Sequence, residues 1–393
     1  MIDPRDALRR AALPPSTSWP VVPPIMPSVV YASEDPDALD RQYAEGSGYT
    51  YAREGHPNAD SLAARIDALE GATGGIVTGS GMAAVGVALL GALKAGDHVV
   101  GGDQLYGRSL KLLRDDLPLL GIATTLADPT DAAAIRAAIR PQTRMILVEV
   151  ISNPTIRVAD MAGIVAVARE AGVLLAVDNT FTTPRLYQPL VQGADIVIHS
   201  VTKLLAGHSD ATLGYVAARD PELAQRIRVA SVTWGMTASP FDCWLAERGL
   251  FSFDLRLARA EQNARTLADA LAGMAGVARV IHPGRPDHPD HNRVSALLGG
   301  RAGNMFSFEL SGGRAAANAF TRAAQGIAFA PTLGDVSTTI SHPASSSHRL
   351  VPPTARVAAG IGEGFFRVST GIEDPDALIA AFQAGAQAAD SVG

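Results

Sequence analysis

From about residue 60 to residue 240 the chain alternates between two textures. Short apolar runs rich in β-branched residues fall at Gly75–Thr78, His98–Gly101, Gly121–Leu126, Arg144–Val150, Val173–Val177 and Asp195–His199. Between them lie Ala- and Leu-rich runs with helical texture: Asp60–Glu70, Met82–Leu93, Asp131–Ala138, Met161–Ala171 and Pro221–Val229. Strands that are apolar on both faces and separated by helices predict a mostly parallel sheet covered on both sides, an α/β architecture. The pattern stops near residue 240. A long helix-like stretch, Phe241 to Ala272, comes next. Beyond it, strand-like Met305–Leu310 and helix-like Arg314–Ala324 predict a smaller α+β domain. The N-terminal stretch reads differently. Pro14, Pro15, Pro20, Pro23, Pro24 and Pro27 favour extended backbone, so this arm is expected to be disordered or to lie on another surface, such as a partner subunit's. The expected organisation is an arm over 1–55, a large domain over 56–245 and a C-terminal domain over 246–393.

Composition narrows the function classes. With 393 residues, 47% hydrophobic and 18% charged, the chain can bury more than one core, and global disorder is excluded. A formal charge of −6 is the reverse of what a generic nucleic-acid binder shows. The single cysteine, Cys243, cannot form an internal disulfide, which fits a reducing compartment. The longest apolar stretch, Met82 to Leu93, is far short of the roughly 20 residues of a spanning helix. Arg5, Arg9 and Arg10 are interrupted by Asp3 and Asp6, with no apolar segment after them, so a signal peptide is not expected. These readings together predict a cytoplasmic soluble protein with no membrane and no nucleic-acid partner.

In open parallel sheets, ligands bind at the carboxyl ends of the strands. Three strand candidates end in polar residues. One contains Glu149 and leads to Ser152 and Asn153. The next leads to Asp178, Asn179 and Thr180. The third leads to Ser200, Thr202 and Lys203. Topology alone would collect a carboxylate, an amide, hydroxyls and a lysine on one edge. The turn Gly79-Ser80-Gly81-Met82-Ala83-Ala84 sits between a strand and a helix, where free N–H groups bind phosphate. Its spacing fits a dinucleotide fingerprint as well as a simple tight turn. A lysine at an apolar strand end has a lowered amine pKa, as imine formation requires. A strand-end aspartate needs a cation, which a protonated pyridine nitrogen supplies. Phosphate turn, Asp178 and Lys203 together point to pyridoxal 5'-phosphate (PLP).

Several longer segments then become recognisable: YAREGHPNADSLAARIDALEG, SGMAA, DQLYG, EVISNPT, AVDNTFTTP, HSVTKLLAGHSD, HPASSSH and FRVSTGIED. Through them the chain, from about Tyr49 to Asp374, resembles the Cys/Met-metabolism (trans-sulfuration) family of fold-type I PLP enzymes. That resemblance implies a seven-stranded sheet, a carbon–sulfur lyase or transferase activity on a small amino acid, and a homo-oligomer, expected as a homotetramer with shared active sites. It implies that Lys203 holds PLP and moves protons, that Asp178 pairs with the pyridine nitrogen and that Tyr106 stacks on the ring and assists proton transfer, Lys203 and Tyr106 being the catalytic pair. Gly81 and Met82 would give N–H groups to the phosphate, and Ser200 and Thr202 hydroxyls. Thr180 would support the cofactor, and Asn153 would touch the ring hydroxyl. Tyr51 and Arg53 would reach the phosphate of a neighbouring subunit. Arg367 would clamp the substrate α-carboxylate beside Thr332, where the family usually has Ser.

The departures from the family pattern bear on substrate. Leu204 follows the lysine, where Tyr is common. Thr50 and Ser337 stand where cystathionine γ-lyases carry two carboxylates that read a distal ammonium. Arg108 stands where methionine γ-lyases carry Cys. The segment LGDVSTTISHPASSSH resembles methionine γ-lyase and O-acetylhomoserine sulfhydrylase more than cystathionine β-lyase. The expectation is β/γ-elimination on methionine, homocysteine or a related amino acid. The alternatives are γ-replacement, as by a cystathionine γ-synthase or a sulfhydrylase, and cystathionine cleavage. A dinucleotide oxidoreductase would leave Lys203, Asp178 and Tyr106 without roles, and a catalytically dead regulator would not carry the full set. No metal is expected: His282, His288 and His291 read as a solvated Pro/Gly-rich loop. Cys243 reads as a buried thiol, and Ser345 to Ser347 before His348 lack a nucleophile elbow.

Overall fold

The computed structural model describes residues 17–349 and 351–392. The readings placed on Arg5, Arg9, Arg10, Pro14 and Pro15 lie outside these residues. Among the described residues two sheets form. The first takes Ile76–Thr78 (β1), His98–Gly102 (β2), Ala123–Ala127 (β3), Thr143–Glu149 (β4), Leu174–Asp178 (β5), Ile196–His199 (β6) and Gly214–Ala218 (β7) in the order β1-β7-β6-β5-β4-β2-β3. Pairing is parallel from β6 through β5, β4 and β2 to β3, and antiparallel where β7 meets β6 and β1. The second takes Val277–Ile281 (β8), Met305–Leu310 (β9), Ala328–Phe329 (β10), Thr339–Ser341 (β11) and Phe365–Ser369 (β12), ordered β10-β11-β12-β9-β8.

The alternation of side chains along a strand explains why both faces of the first sheet are covered. Ile146, Val148, Val177 and Val197 face one core, with Leu62 and Ile66 from the helix Pro57–Glu70. Met145, Leu147, Ala176, Ile196 and Ile198 face the other, with Val85 and Leu89 from the helix Gly81–Ala92. Each such side chain contributes about 1.5–3 kcal/mol by leaving water. The second sheet buries an aromatic cluster. The rings of Phe308, Phe320, Phe366 and Phe382 lie 5.2–6.1 Å apart and pack against the helices Gly313–Ala323 and Pro375–Asp390.

Three differences from the sequence reading have physical causes. The stretch from Phe241 to Ala272 is two helices, Pro240–Leu250 and Phe253–Leu271, interrupted at Phe251 and Ser252. The parallel pattern gains an antiparallel neighbour, β7, which follows the Lys203 loop too closely for a helical crossover. The histidine loop is solvated only in part, at Pro286, Asp287 and Pro289. His282 and His288 are buried, the Gly284 amide donates to His282 Nδ1, and His288 Nε2 bonds the Ile156 carbonyl at 3.0 Å. Burial holds the His282 imidazole down at about 4. Cys243 is buried, as expected. Part of the arm lies along the chain's own helices: Trp244 Nε1 donates to the Pro23 carbonyl, and Asn58 bonds Met26 and Pro24. No helix among the described residues is long and apolar enough to cross a membrane.

Candidate active site

The carboxyl ends of β4, β5 and β6 bring the expected residues together. Glu149 is the register partner of Asp178, and Asp178 of Ile198. Asp178 Oδ1 accepts from the Thr180 amide at 3.0 Å and from Thr180 Oγ1 at 2.6 Å. Thr180 Oγ1 in turn accepts from the Ser200 amide at 2.7 Å, which ties the ends of β5 and β6. Burial pushes the Asp178 carboxyl up, while the Thr180 bonds and nearby His199 oppose the shift. Neither Asp178 nor Glu149 forms an ion pair with a lysine or arginine among the described residues. A desolvated carboxylate in that position fits a cationic pyridine nitrogen.

Lys203 leaves the end of β6 on a short turn, its amide bonded to the Ser200 carbonyl. Its Nζ donates to Thr332 Oγ1 at 3.3 Å. Burial, and after it the charge of Arg367, lowers the amine pKa. Two residues that sequence reasoning did not single out fix this turn. Buried Arg256 donates to the carbonyls of Leu204, Leu205 and Gly249. Gly334 lies directly on the Lys203–Leu204 peptide: a Cβ there would sit 2.5 Å from the Leu204 nitrogen, and its φ is +81°.

The Gly79–Ala84 turn joins β1 to the helix Gly81–Ala92, the strand-to-helix junction that the spacing implies. Ser80 caps the helix Gly81–Ala92, its Oγ accepting from the Ala83 amide at 3.1 Å. The amides of Gly81 and Met82 belong to the first helical turn, whose N–H groups have no partner within the helix. A Cβ on Gly81 would lie 2.6 Å from that of Ser200, so glycine lets the turn close against the Ser200 side chain. The Thr202 hydroxyl is engaged with Leu213, donating to its carbonyl and accepting from its amide.

Arg367 projects from the middle of β12 and is 5% exposed. Its Nη1 donates to Asn153 Oδ1 at 3.4 Å and its Nη2 to the Thr332 carbonyl. Its Nε is buried and has no partner. Burial lowers its pKa to about 10, which still leaves it a cation. No carboxylate pairs with it among the described residues, so the site fits an anion that arrives from outside. Tyr106 is largely exposed at the start of the helix Gly107–Lys111, and its amide donates to Glu149 Oε1 at 2.7 Å.

Other predicted residues stand apart. Arg53 packs over the Tyr51 ring at 5.3 Å, donates to the Val232 carbonyl and shares a surface hollow with Arg228. Neither Tyr51 nor Arg53 hydrogen-bonds to the strand-end cluster. Arg108 is exposed. Thr50 Oγ1 donates to Glu54 Oε2 at 3.0 Å, and the Ser337 amide to Asp335 Oδ1 at 2.8 Å, so a carboxylate lies one hydrogen bond from each of those positions. Behind the cluster lies a network that the sequence did not announce. Glu70, fully buried, accepts from Asn179 Nδ2 at 2.8 Å and bonds His199 Nε2, joining its helix to the residues that follow Asp178 and precede Ser200. Nothing in the one-dimensional pattern marks Glu70, since it ends an ordinary amphipathic helix.

A family model described as "Cys/Met metabolism PLP-dependent enzyme" matches residues 9–387. A cystathionine β-lyase of Bacillus subtilis is 38% identical, over 86% of this chain and 85% of its own length. An L-methionine γ-lyase of Pseudomonas putida is 37% identical over 86% and 85%. The crystal structure of a cystathionine γ-synthase from Xanthomonas oryzae pv. oryzae, in complex with cystathionine, superposes with a TM-score of 0.89. It is 37% identical and covers 95% of this chain and 94% of that one.

Proposed function

Because this chain belongs to the Cys/Met metabolism family of PLP-dependent enzymes, we propose that its strand-end cluster holds PLP and the amino-acid substrate in the roles set out here. The family assigns the chain to β/γ-elimination or replacement chemistry. When bound, PLP supplies an electron sink that acidifies the substrate α-proton and lets a β- or γ-substituent leave. Lys203 Nζ is the attachment point and the base for the α-proton, and burial beside Arg367 lowers its pKa, which favours the neutral amine that both tasks use. Asp178 holds the pyridine nitrogen protonated, and Thr180 keeps that carboxylate ionised. Asn153 bonds the ring hydroxyl. The amides of Gly81 and Met82 with the Ser200 hydroxyl cradle the phosphate, Thr202 standing behind them. Tyr106 covers the ring. Arg367 takes the substrate α-carboxylate in a bidentate fork.

One observation carries this reading. Lys203 Nζ and Arg367 Nη2 both bond Thr332, which places a neutralisable amine and an unpaired buried cation on one residue. An α-amino acid presents its two ends to that pair. Borohydride reduction of the PLP-loaded protein followed by peptide mapping tests it: the label belongs on Lys203, and a label on another lysine refutes the assignment.

For the distal end we favour elimination from a substrate with a neutral or anionic side-chain terminus, such as methionine, homocysteine or an acylated homoserine. Thr50 and Ser337 themselves offer no charge to a distal ammonium. A second reading, in which a cystathionine-type ammonium is accepted, draws on Glu54 and Asp335 beside those positions. Comparing kcat/KM for cystathionine with the others decides it. A tenfold preference for cystathionine, about 1.4 kcal/mol, rejects the first reading.

The functional unit is a homo-oligomer, a tetramer with sites shared between subunits. Its support is the position of Tyr51 and Arg53 away from their own cluster, and the exposed apolar arm with Trp19 at 89%, Val21 and Val30. The lone buried cysteine supports a cytoplasmic setting.

A further inference from the structure

Glu149 has no part in the chemistry above, yet it stands in the cluster. We infer that Glu149 is a neutral carboxylic acid that positions Tyr106 and leaves the negative charge of the strand ends on Asp178 alone. The inference rests on the reading of Asp178 and Tyr106 given under Proposed function.

β4 and β5 run parallel, and Glu149 and Asp178 occupy partnered positions at their ends. Glu149 falls on the same strand face as Met145 and Leu147, and Asp178 on that of Ala176; all three neighbours belong to one core. The two carboxyl groups are therefore side by side on one face. No lysine or arginine is ion-paired to either among the described residues. Two like charges so placed repel, and one retained proton removes the repulsion. The hydrogen bonds decide where it stays. Asp178 receives two donors, the amide and hydroxyl of Thr180, which favour its charged form. Glu149 receives one, the Tyr106 amide. Burial and the charge of Asp178 also push the Glu149 carboxyl well above its ordinary value. Divergent environments of this kind separate the roles of paired carboxyl groups.

The proton fits Glu149 Oε2, because Oε1 is occupied as acceptor for Tyr106. In that form Glu149 fixes the backbone at the start of the helix Gly107–Lys111 and so aims the Tyr106 ring. Glu149 is thus a positioning residue. It also leaves a single negative charge to face the pyridine nitrogen, where two would compete.

Infrared spectroscopy of the PLP-free protein at about pH 8, far above the ordinary carboxyl range, tests the charge state. A protonated-carboxyl stretch that disappears in Glu149→Gln is the expected result. Absence of that band from the wild type, or its survival in Glu149→Gln, overturns the proposal. The positioning role is read from PLP affinity. Glu149→Ala should weaken it by about tenfold, near the upper range for one hydrogen bond, and Glu149→Gln should recover most of the loss because its amide oxygen still accepts from Tyr106. A glutamine variant as weak as the alanine one overturns the neutral role. Should Glu149→Ala not fold, the infrared comparison decides alone. A PLP label away from Lys203 would instead undo the underlying cofactor reading while leaving the infrared result intact.

Discussion

The charge of Arg367 bears on the Lys203 amine, and that coupling can be measured. The amine reacts only when neutral, and burial together with Arg367 lowers its pKa from the ordinary 10.5. PLP uptake by the PLP-free protein should therefore rise with pH through an inflection below 10.5. Arg367→Met removes the neighbouring cation, so the inflection should move upward and uptake at a fixed neutral pH should slow. Stopped-flow absorbance against pH checks both, and a downward shift would contradict the coupling. Arg367→Ala should also cost kcat/KM at least about 1.5–3 kcal/mol, the range of a hydrogen bond to a charged group. At this scale the sequence was informative where chemistry follows from position. Asp178 ends β5 and Lys203 follows β6, so the roles proposed for them could be argued from position. Arg256 could not be, because an arginine that holds carbonyls looks in sequence like the exposed ones around it.

Elements meet at two buried joints behind the site. Gly334 sets the loop before β11 onto the Lys203–Leu204 peptide. Gly334→Ala would need a left-handed backbone, costing about 1–2 kcal/mol, and would force the two segments apart. Weaker PLP retention and a lower Tm are expected; an unchanged Tm would show that the loop has room to move. Glu70 joins the helix Pro57–Glu70 to the ends of β5 and β6. Glu70→Ala removes a buried hydrogen-bond partner from His199 and Asn179, and thermal unfolding should show a loss of about 1–3 kcal/mol, the cost of leaving a buried polar group unsatisfied. The alternation of β4, β5 and β6 was plain in sequence because each is apolar on both faces. β7 was not distinguished, since Gly214–Ala218 follows a loop and its antiparallel sense depends on tertiary pairing with β6. The interruption at Phe251 and Ser252 was missed because neither proline nor a glycine pair marks it.

At the scale of the whole molecule, the proposal of a site shared between copies makes a quantitative demand. Lys203→Ala and Arg53→Ala should each be inactive or weak alone. Mixed and allowed to exchange subunits, they should recover about a quarter of the sites, as random pairing in a two-fold dimer gives. No recovery, with exchange verified by sedimentation of tagged subunits, would show that Arg53 serves its own chain. The two-sheet architecture was foreshadowed by the change of texture near residue 240, but the docking of one sheet on the other was not, since Thr332 and Arg367 reach Lys203 through contacts that no local pattern encodes. The placement of β1 has a consequence for the chain as it is made. Within its sheet β1 pairs with β7, Thr78 opposite Gly214, and Thr78 and Gly79 also meet Thr237 and Met236, so the turn that begins at Gly79 lacks its full support until the ribosome has delivered the segment through Thr237. Arg367 arrives later still. Synthesis proceeds from the N-terminus, and domains fold as they emerge. A stalled nascent chain ending at residue 205 would hold Lys203 and Asp178 and still fail to retain PLP, whereas one carrying Thr237 clear of the exit tunnel would have the Gly79–Ala84 turn in place before Arg367 had been translated.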